Sequence, residues 1–256
     1  MTHPHTNTGA LVFGGSQGLG LAIAERLRDE GCTRLVLAAR DPAKGKAAAA
    51  RLGAAFLPVD LADATSVIAC VDRAAALIGP LTALCLSAAS TDRGSITDTT
   101  PEAFDRMFAI NVKGPFFAIQ RFVQLAQAAR HPASLVTILS MSAHVGQSFL
   151  TPYSASKAAL SNITKNTANA LRRDRIRANG INCGWMDTPG EDAIQRSYHG
   201  SDDGWLARAE AAQPFGMLVK PAHVAGLAAY MLGPQSGVMT GAIVDFDQNV
   251  SGAAPE

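Results

Sequence analysis

The sequence is poor in the features that mark several classes of protein. Its four cysteines, Cys32, Cys70, Cys85 and Cys183, are scattered, with no C-x-x-C pair and no metal-ligand spacing. Neither a disulfide framework nor a metal site is expected, and the thiols read as buried and free in a reducing compartment. Charged residues make up only 17% of the 256 positions and leave a formal net charge of +1. Such a balance gives no electrostatic case for nucleic acid or an anionic membrane as partner. No apolar run approaches the ~20 residues that span a bilayer. The opening stretch, Met1 to Gly9, is polar, carries His3, Pro4 and His5, and lacks the charged-then-apolar pattern of a signal peptide. The expectation is a soluble, cytoplasmic protein with a disordered tail over residues 1–9, its histidines solvated rather than metal-bound.

What is present is a large apolar fraction, 48%, in a chain long enough for one sizeable α/β domain. Short apolar runs read as buried strands at Ala10–Gly14, Leu35–Ala39, Ala55–Val59, Leu81–Ser87, Ser134–Ser140 and Ile176–Asn182. Helical patterns lie between them, at about Gly18–Glu30, Pro42–Leu52, Ala62–Ile78, Pro101–Arg130 and Tyr153–Arg173. Strands alternating with helices imply a Rossmann-like, doubly wound parallel sheet of about seven strands, helices on both faces, in a single domain over residues 10–256. The long helix after strand four carries Phe104, Met107, Phe108, Ile110, Phe116, Phe117, Ile119 and Phe122 on more than one face. It reads as core on one side and subunit interface on the other. The polar, glycine-punctuated segment 189–213 follows a strand's C-terminal end and reads as a substrate lid.

Two local patterns carry chemistry. Gly14, Gly18 and Gly20 lie between the first strand and the first helix, the context in which a glycine loop lets backbone approach a pyrophosphate at a helix N-terminus. At the end of strand two, Ala39-Arg40 stands where a carboxylate would grip ribose hydroxyls, so Arg40 favours the 2′-phosphate of NADP(H), with NAD(H) the alternative. Asp60 after strand three is placed either to accept from an adenine amino group or to cap the next helix. The second pattern is Tyr153-Ser-Ala-Ser-Lys157: one helical turn apart, the lysine shares the tyrosine's face. An ammonium at roughly 4 Å favours the phenolate by about 4 kcal/mol at an effective dielectric near 20, enough to bring its pKa down towards neutrality.

With these residues in place, the chain resembles the short-chain dehydrogenase/reductase family along nearly its full length. The glycine motif, Asp60, Asn111-Val-Lys-Gly114, Ser140 thirteen residues before Tyr153, the Y-x-x-x-K pair, and the segment Ile181 to Thr188 follow in the family's order. The resemblance implies that Tyr153 is the general acid or base and that Ser140 binds the substrate oxygen, with Ser142 its rival. It implies that Lys157 lowers the tyrosine pKa and holds the nicotinamide ribose, and that Asn111 interrupts the long helix and anchors a water. Cofactor contacts are implied at Ser16, Gln17, Leu19, Leu61, Ser87, Ile181, Gly184, Met186 and Thr188, beside the glycines, Arg40, Asp60, Tyr153 and Lys157.

The chain departs from the family pattern at Phe13, at Leu86-Ser87-Ala88-Ala89, at Cys183, and at Phe246-Asp247. These positions bear on loop rigidity and cofactor affinity. Ser142, His144, Gln147 and Trp185 are the expected substrate contacts, with Glu191, Gln195, His199 and Trp205 behind them and Asp245 to Asn249 within reach. Polar groups among a few aromatics suit a sugar, polyol or cyclitol. The implied activity is alcohol–carbonyl interconversion with NAD(P)(H) on a small-molecule substrate, in a homotetramer or homodimer. The alternative is a catalytically idle NADP(H)-binding redox sensor or interaction protein.

Overall fold

The computed structural model describes residues 3–253. Most strands are near-continuous apolar runs, because a parallel sheet covered on both faces buries side chains that point to either face. The first half runs β1 (Gly9–Phe13), α1 (Gly18–Asp29), β2 (Arg34–Ala39), α2 (Pro42–Leu52), β3 (Ala55–Pro58), α3 (Ala64–Ile78) and β4 (Ala83–Leu86). After it come α4 (Pro101–Phe108), α5 (Gly114–Ala129), β5 (Ala133–Ser140), α6 (Thr151–Leu171) and β6 (Ile176–Cys183). The chain then forms α7 (Pro189–His199), α8 (Trp205–Ala211), α9 (Pro221–Leu232) and β7 (Ile243–Phe246).

All seven strands pair in parallel in the order β3-β2-β1-β4-β5-β6-β7. The expected doubly wound sheet is therefore observed. β1 has β2 on one side and β4 on the other, so the strand order reverses beside it. Crossovers leave in opposite directions there and open a crevice at the strands' C-terminal ends. Alternation along β1 divides the core: Leu11 and Phe13 pack with Val67, Val71 and Phe122, whereas Ala10 and Val12 pack with Ile23, Leu27, Val224 and Ala228. The first set joins α3 and α5 to one face; the second joins α1 and α9 to the other.

One expectation is corrected here, one is met, and a third part of the fold was not read from the sequence. Residues 1–9 were expected to be a disordered tail; Met1 and Thr2 lie outside the described residues, but His5 is fully buried. Its Nδ1 lies 3.0 Å from Thr8 Oγ1 and its Nε2 3.1 Å from the Ala229 carbonyl, which ties the segment to α9. Burial depresses the pKa of its imidazole, while Glu30 acts the other way. The interruption that the resemblance implies at Asn111 is observed: a π-helical turn at Ala109–Lys113 divides the helix over Pro101–Arg130. Pro115 has no N–H to give the Asn111 carbonyl four residues earlier, so the ordinary helical register fails at that point. The third concerns the C-terminal third, where α9 and β7 complete the second layer and the sheet edge; neither had been located from the sequence.

Candidate active site

The turn from β1 to α1 is shaped by glycine backbone. Gly14 and Gly18 have φ of 81° and 55°, the left-handed region that side chains avoid. A Cβ on Gly20 would stand 2.3 Å from the Gly14 carbonyl oxygen, and one on Gly14 would stand 2.8 Å from the Ala88 nitrogen. Gln17 begins α1 in extended conformation and no side chain caps it, so the first-turn N–H groups are left for an anion. This is a cradle that fits a dinucleotide pyrophosphate.

The crevice continues from this turn as one cleft of about 1630 Å³. Ligand pockets usually measure ≈ 300–1,000 Å³, so there is room for a dinucleotide and a second small molecule. Ser16, Gln17, Leu19, Arg40, Asp60, Leu61, Ser87, Gly184, Met186 and Thr188 line it, as expected of cofactor contacts. Asp60 Oδ1 accepts from the Ala62 N–H at 3.0 Å, and the cap of α3 is Asp63, which decides against the capping alternative for Asp60. Beside exposed Arg40, Lys44 also lines the cleft, its Nζ 3.3 Å from Gln17 Oε1. Lys44 had gone unnoticed; its place in the first turn of α2, four residues after Arg40, was the available signal. Ile181 is the exception: fully buried in β6, it packs in the core, and Cys183, two residues on, takes its place at the cleft wall.

Ser140 ends β5, and Tyr153 lies on the first turn of α6. Ser140 Oγ accepts from the Ser142 N–H at 3.2 Å and from Ser142 Oγ at 2.9 Å, which places both hydroxyls at the cleft wall. Burial pushes the Tyr153 phenol up to about 12; its hydrogen bond with Ser140 pulls the other way, as does the more distant Arg93 charge. Lys157 is buried, donates from Nζ to the Ile138 carbonyl at 2.8 Å, and lies 5.6 Å from the centre of the Tyr153 ring. Burial pushes its ammonium down to about 8. The expected lowering of the tyrosine pKa by Lys157 is thus not found. The ammonium is directed at a strand carbonyl, and desolvation of the phenolate dominates. A phenol held protonated is a proton donor at neutral pH.

Asn111 sits in the π-helical turn and is buried. Its Oδ1 accepts from the Ser90 N–H at 2.8 Å, and its Nδ2 donates to the Ser90 carbonyl at 2.9 Å and to Ser156 Oγ at 3.0 Å. The side chain therefore clamps the loop after β4 to α6, one turn along from Tyr153.

Of the residues expected at the substrate end, Ser142, Gln147, Trp185, Glu191, Gln195 and His199 line the cleft. Thr188 caps α7 by accepting from the Glu191 N–H at 3.1 Å, and so sets the angle of this wall. His144 is a correction: its Nε2 lies 2.6 Å from Asn182 Nδ2 and 3.3 Å from Asp245 Oδ1, away from the cleft. The short turn after Ser140 carries its ring towards β6 and β7. Trp205 is buried, donates to Asp192 Oδ1 at 2.7 Å and stacks behind Trp185. Of Asp245 to Asn249, only Asp247 and Asn249 reach the cleft. Sequence reasoning missed Arg93, whose loop carries no periodic pattern.

The comparisons with known proteins agree with this geometry. The family model described as enoyl-(acyl carrier protein) reductase matches residues 14–250. The chain is 31% identical to galactitol 2-dehydrogenase of Agrobacterium fabrum, over 90% of this chain and 92% of that one. It is 28% identical to sorbitol dehydrogenase of Cereibacter sphaeroides (93% and 95% covered). It is also 28% identical to the NADP-dependent (R)-specific alcohol dehydrogenase of Lentilactobacillus kefiri (91% and 92% covered). Among solved structures, an actinorhodin polyketide ketoreductase with NADPH superposes with a TM-score of 0.88 at 26% identity, covering 94% of this chain and 96% of that one. The chain belongs to the short-chain dehydrogenase/reductase family, as an NAD(P)-dependent dehydrogenase acting on CH–OH groups.

Proposed function

We propose that this chain interconverts a small hydroxylated alcohol and its ketone with NADP(H) as the preferred cofactor. The observation that carries the reading is the meeting of Ser140, Tyr153 and Lys157 on the wall of the cleft that begins at the glycine turn. A nicotinamide held there would supply the chemistry of hydride transfer to or from the substrate carbon. In reduction, Ser140 donates a hydrogen bond to the carbonyl oxygen, and Tyr153 passes its proton to that oxygen as the C–O double bond becomes a C–OH single bond. Lys157 and solvent restore the proton. Each ketone and each proton taken up thus yields one alcohol, with one NADPH oxidised. Lys157, at the floor of the site, is placed to hold ribose hydroxyls.

Two basic side chains at the adenosine end, Arg40 and Lys44, with no carboxylate at Ala39, support NADP(H). A relative named as NADP-dependent points the same way. The polar lining at the other end, and relatives named for sorbitol and galactitol, support a polyol-like substrate. The test is NADPH oxidation against a panel of ketoses and small ketones, with Tyr153→Phe alongside. The variant should lose turnover by at least about a thousandfold while binding NADPH as before; a variant that keeps turnover refutes the role. Arg40→Asp should move the kcat/KM ratio towards NADH by at least about tenfold, through loss of a charge-assisted bond. Unchanged discrimination refutes the NADP assignment.

A further inference from the structure

The cleft holds charged groups that the hydride chemistry does not employ, Arg93 among them. Arg93 lies in the loop between β4 and α4 and lines the same cleft as Tyr153. It is fixed there by its neighbour: the Gly94 N–H donates to the Phe149 carbonyl at 3.0 Å, and the Thr151 N–H donates to the Gly94 carbonyl at 3.0 Å. Those two bonds attach the loop to the start of α6, two residues before Tyr153. The Arg93 guanidinium packs 5.4 Å from the centre of the Phe149 ring, and Phe149 in turn meets His199 edge-on.

The guanidinium has five N–H donors, and its partners in the protein are weak. Nη1 donates to the Thr91 carbonyl at 3.3 Å, while Nε and Nη2 lie 3.4 and 3.3 Å from His199 Nε2. Among the described residues the arginine ion pairs engage Arg26, Arg51, Arg121, Arg196 and Arg208, but not Arg93. The carboxylates of Asp92 and Glu191 also line the cleft but form no ion pair with Arg93. Asp92 accepts from Ser90 Oγ at 2.6 Å, and Glu191 accepts from Trp185 Nε1 and Gln195 Nε2, both at 2.8 Å. A partly buried guanidinium held rigid beside a proton donor, with no counter-ion, is a preformed receptor for an anion, and its planar fork matches a carboxylate.

We propose that Arg93 receives a carboxylate of the substrate, so that the molecules interconverted are a keto acid and a hydroxy acid. The carboxylate lies on the guanidinium while the carbonyl oxygen lies on Ser140 and Tyr153. Further hydroxyls on the same acid meet Gln147 and Gln195, so a hydroxylated acid satisfies both this receptor and the polar lining. This inference rests on the reading of the cleft as a site of alcohol–ketone interconversion, and its test separates the two.

The probes are 3-oxobutanoate, 4-oxopentanoate and 5-oxohexanoate, each paired with its methyl ester, which keeps the carbonyl and removes the charge. NADPH oxidation gives kcat/KM for each member with wild type, Arg93→Gln and Arg93→Lys. At the best-fitting spacing the acid should exceed its ester by about tenfold or more, chiefly in KM. Arg93→Gln should collapse that ratio and Arg93→Lys should restore part of it. A purely structural arginine, packed on Phe149, would lower acid and ester together and leave the ratio unmoved. An unmoved ratio, or a wild type that prefers the esters or neutral ketones, overturns the proposal. If no ketone of any kind is reduced, the oxidoreductase reading fails on its own. Binding of the same acids, followed by tryptophan fluorescence, then decides the receptor: Arg93-dependent binding upholds it, and its absence overturns it.

Discussion

An ammonium with 3% of its residue surface in water, held by one strand carbonyl, is a costly thing to fold around. Lys157 occupies that position, and burial pushes its pKa from 10.5 down to about 8. At roughly 1.36 kcal/mol per unit, the charged form weakens the fold by about 3 kcal/mol. The sign follows from proton counting. Between pH 8 and 10.5 the unfolded chain binds the proton that the folded chain has released, so this residue's burden lightens as pH rises. Lys157→Met keeps the length of the side chain and removes the charge, at about 1 kcal/mol for the unpaired Ile138 carbonyl. The variant should therefore unfold at higher denaturant than wild type at pH 7, by about 2 kcal/mol, and lose that advantage by pH 10.5. Comparing the two proteins at each pH cancels the buried thiols of Cys32 and Cys70, which titrate alike in both, whereas the Cys183 thiol feels the Lys157 charge. The same variant should be inactive, because the group proposed to hold the ribose and restore the proton is gone. A variant less stable than wild type at pH 7 would show that Lys157 stabilises the fold, and that its burial is no sacrifice to function.

At the scale of elements, the site depends on how closely α1 approaches the end of β1. Gly20 brings the first helical turn against the Gly14 carbonyl, where a Cβ would stand at 2.3 Å. Because the obstacle is backbone, relief requires α1 to move away from the strand, which displaces the N–H groups that face the cleft. Gly20→Ala should weaken NADPH binding by at least about tenfold while costing ~1–3 kcal/mol of stability. Gly226→Ala, within α9 and with only the Arg26 guanidinium at 3.5 Å, is the matched control. It should leave NADPH affinity alone and add about 0.5–1 kcal/mol. Equal NADPH affinity in the two variants would show that the close approach does not shape the site. The same two helices mark the limit of sequence reading. The segment 18–29 was legible because glycines and an amphipathic stripe frame it; α9 was not, because Val224, Ala225, Ala228, Ala229, Met231 and Leu232 are all buried and its apolar surface shows little periodicity. β7 is four residues long and only partly covered, too short for a strand signal. The spacing of Tyr153 and Lys157 suggested the pair, and the family resemblance made it and Ser140 legible. The side-chain directions of Ile181 and His144 were not, since they depend on which face of β6 is turned to the cleft and on a three-residue turn.

For the whole molecule, the open question is what covers the second side of α4 and α5. Met107, Ile110, Ile119 and Phe122 are buried in the core, yet Phe104 and Phe116 stand 42% and 43% exposed on the same stretch. Phe104 stacks on Phe108 at 4.5 Å, and Phe116 meets Phe117 edge-on at 5.4 Å, so the outward face carries two aromatic pairs. Large apolar rings gathered on one helical face mark an interaction surface. We propose that these helices pair with their copies in a homodimer or homotetramer, α6 lying alongside. Since α4, the π-helical turn and Asn111 form one continuous stretch, and Asn111 holds Ser90 and Ser156 close to Tyr153, the interface would brace the site from behind. Sizing chromatography with light scattering should give two or four times the 26.6 kDa chain mass. Phe104→Asp with Phe116→Asp should shift it to one chain, by placing carboxylates in a desolvated contact. In the separated chain kcat should fall together with thermal stability, because the π-helical turn loses its support. A wild type that elutes as a single chain refutes the proposal. An assembly that survives both aspartates places the contact on another face.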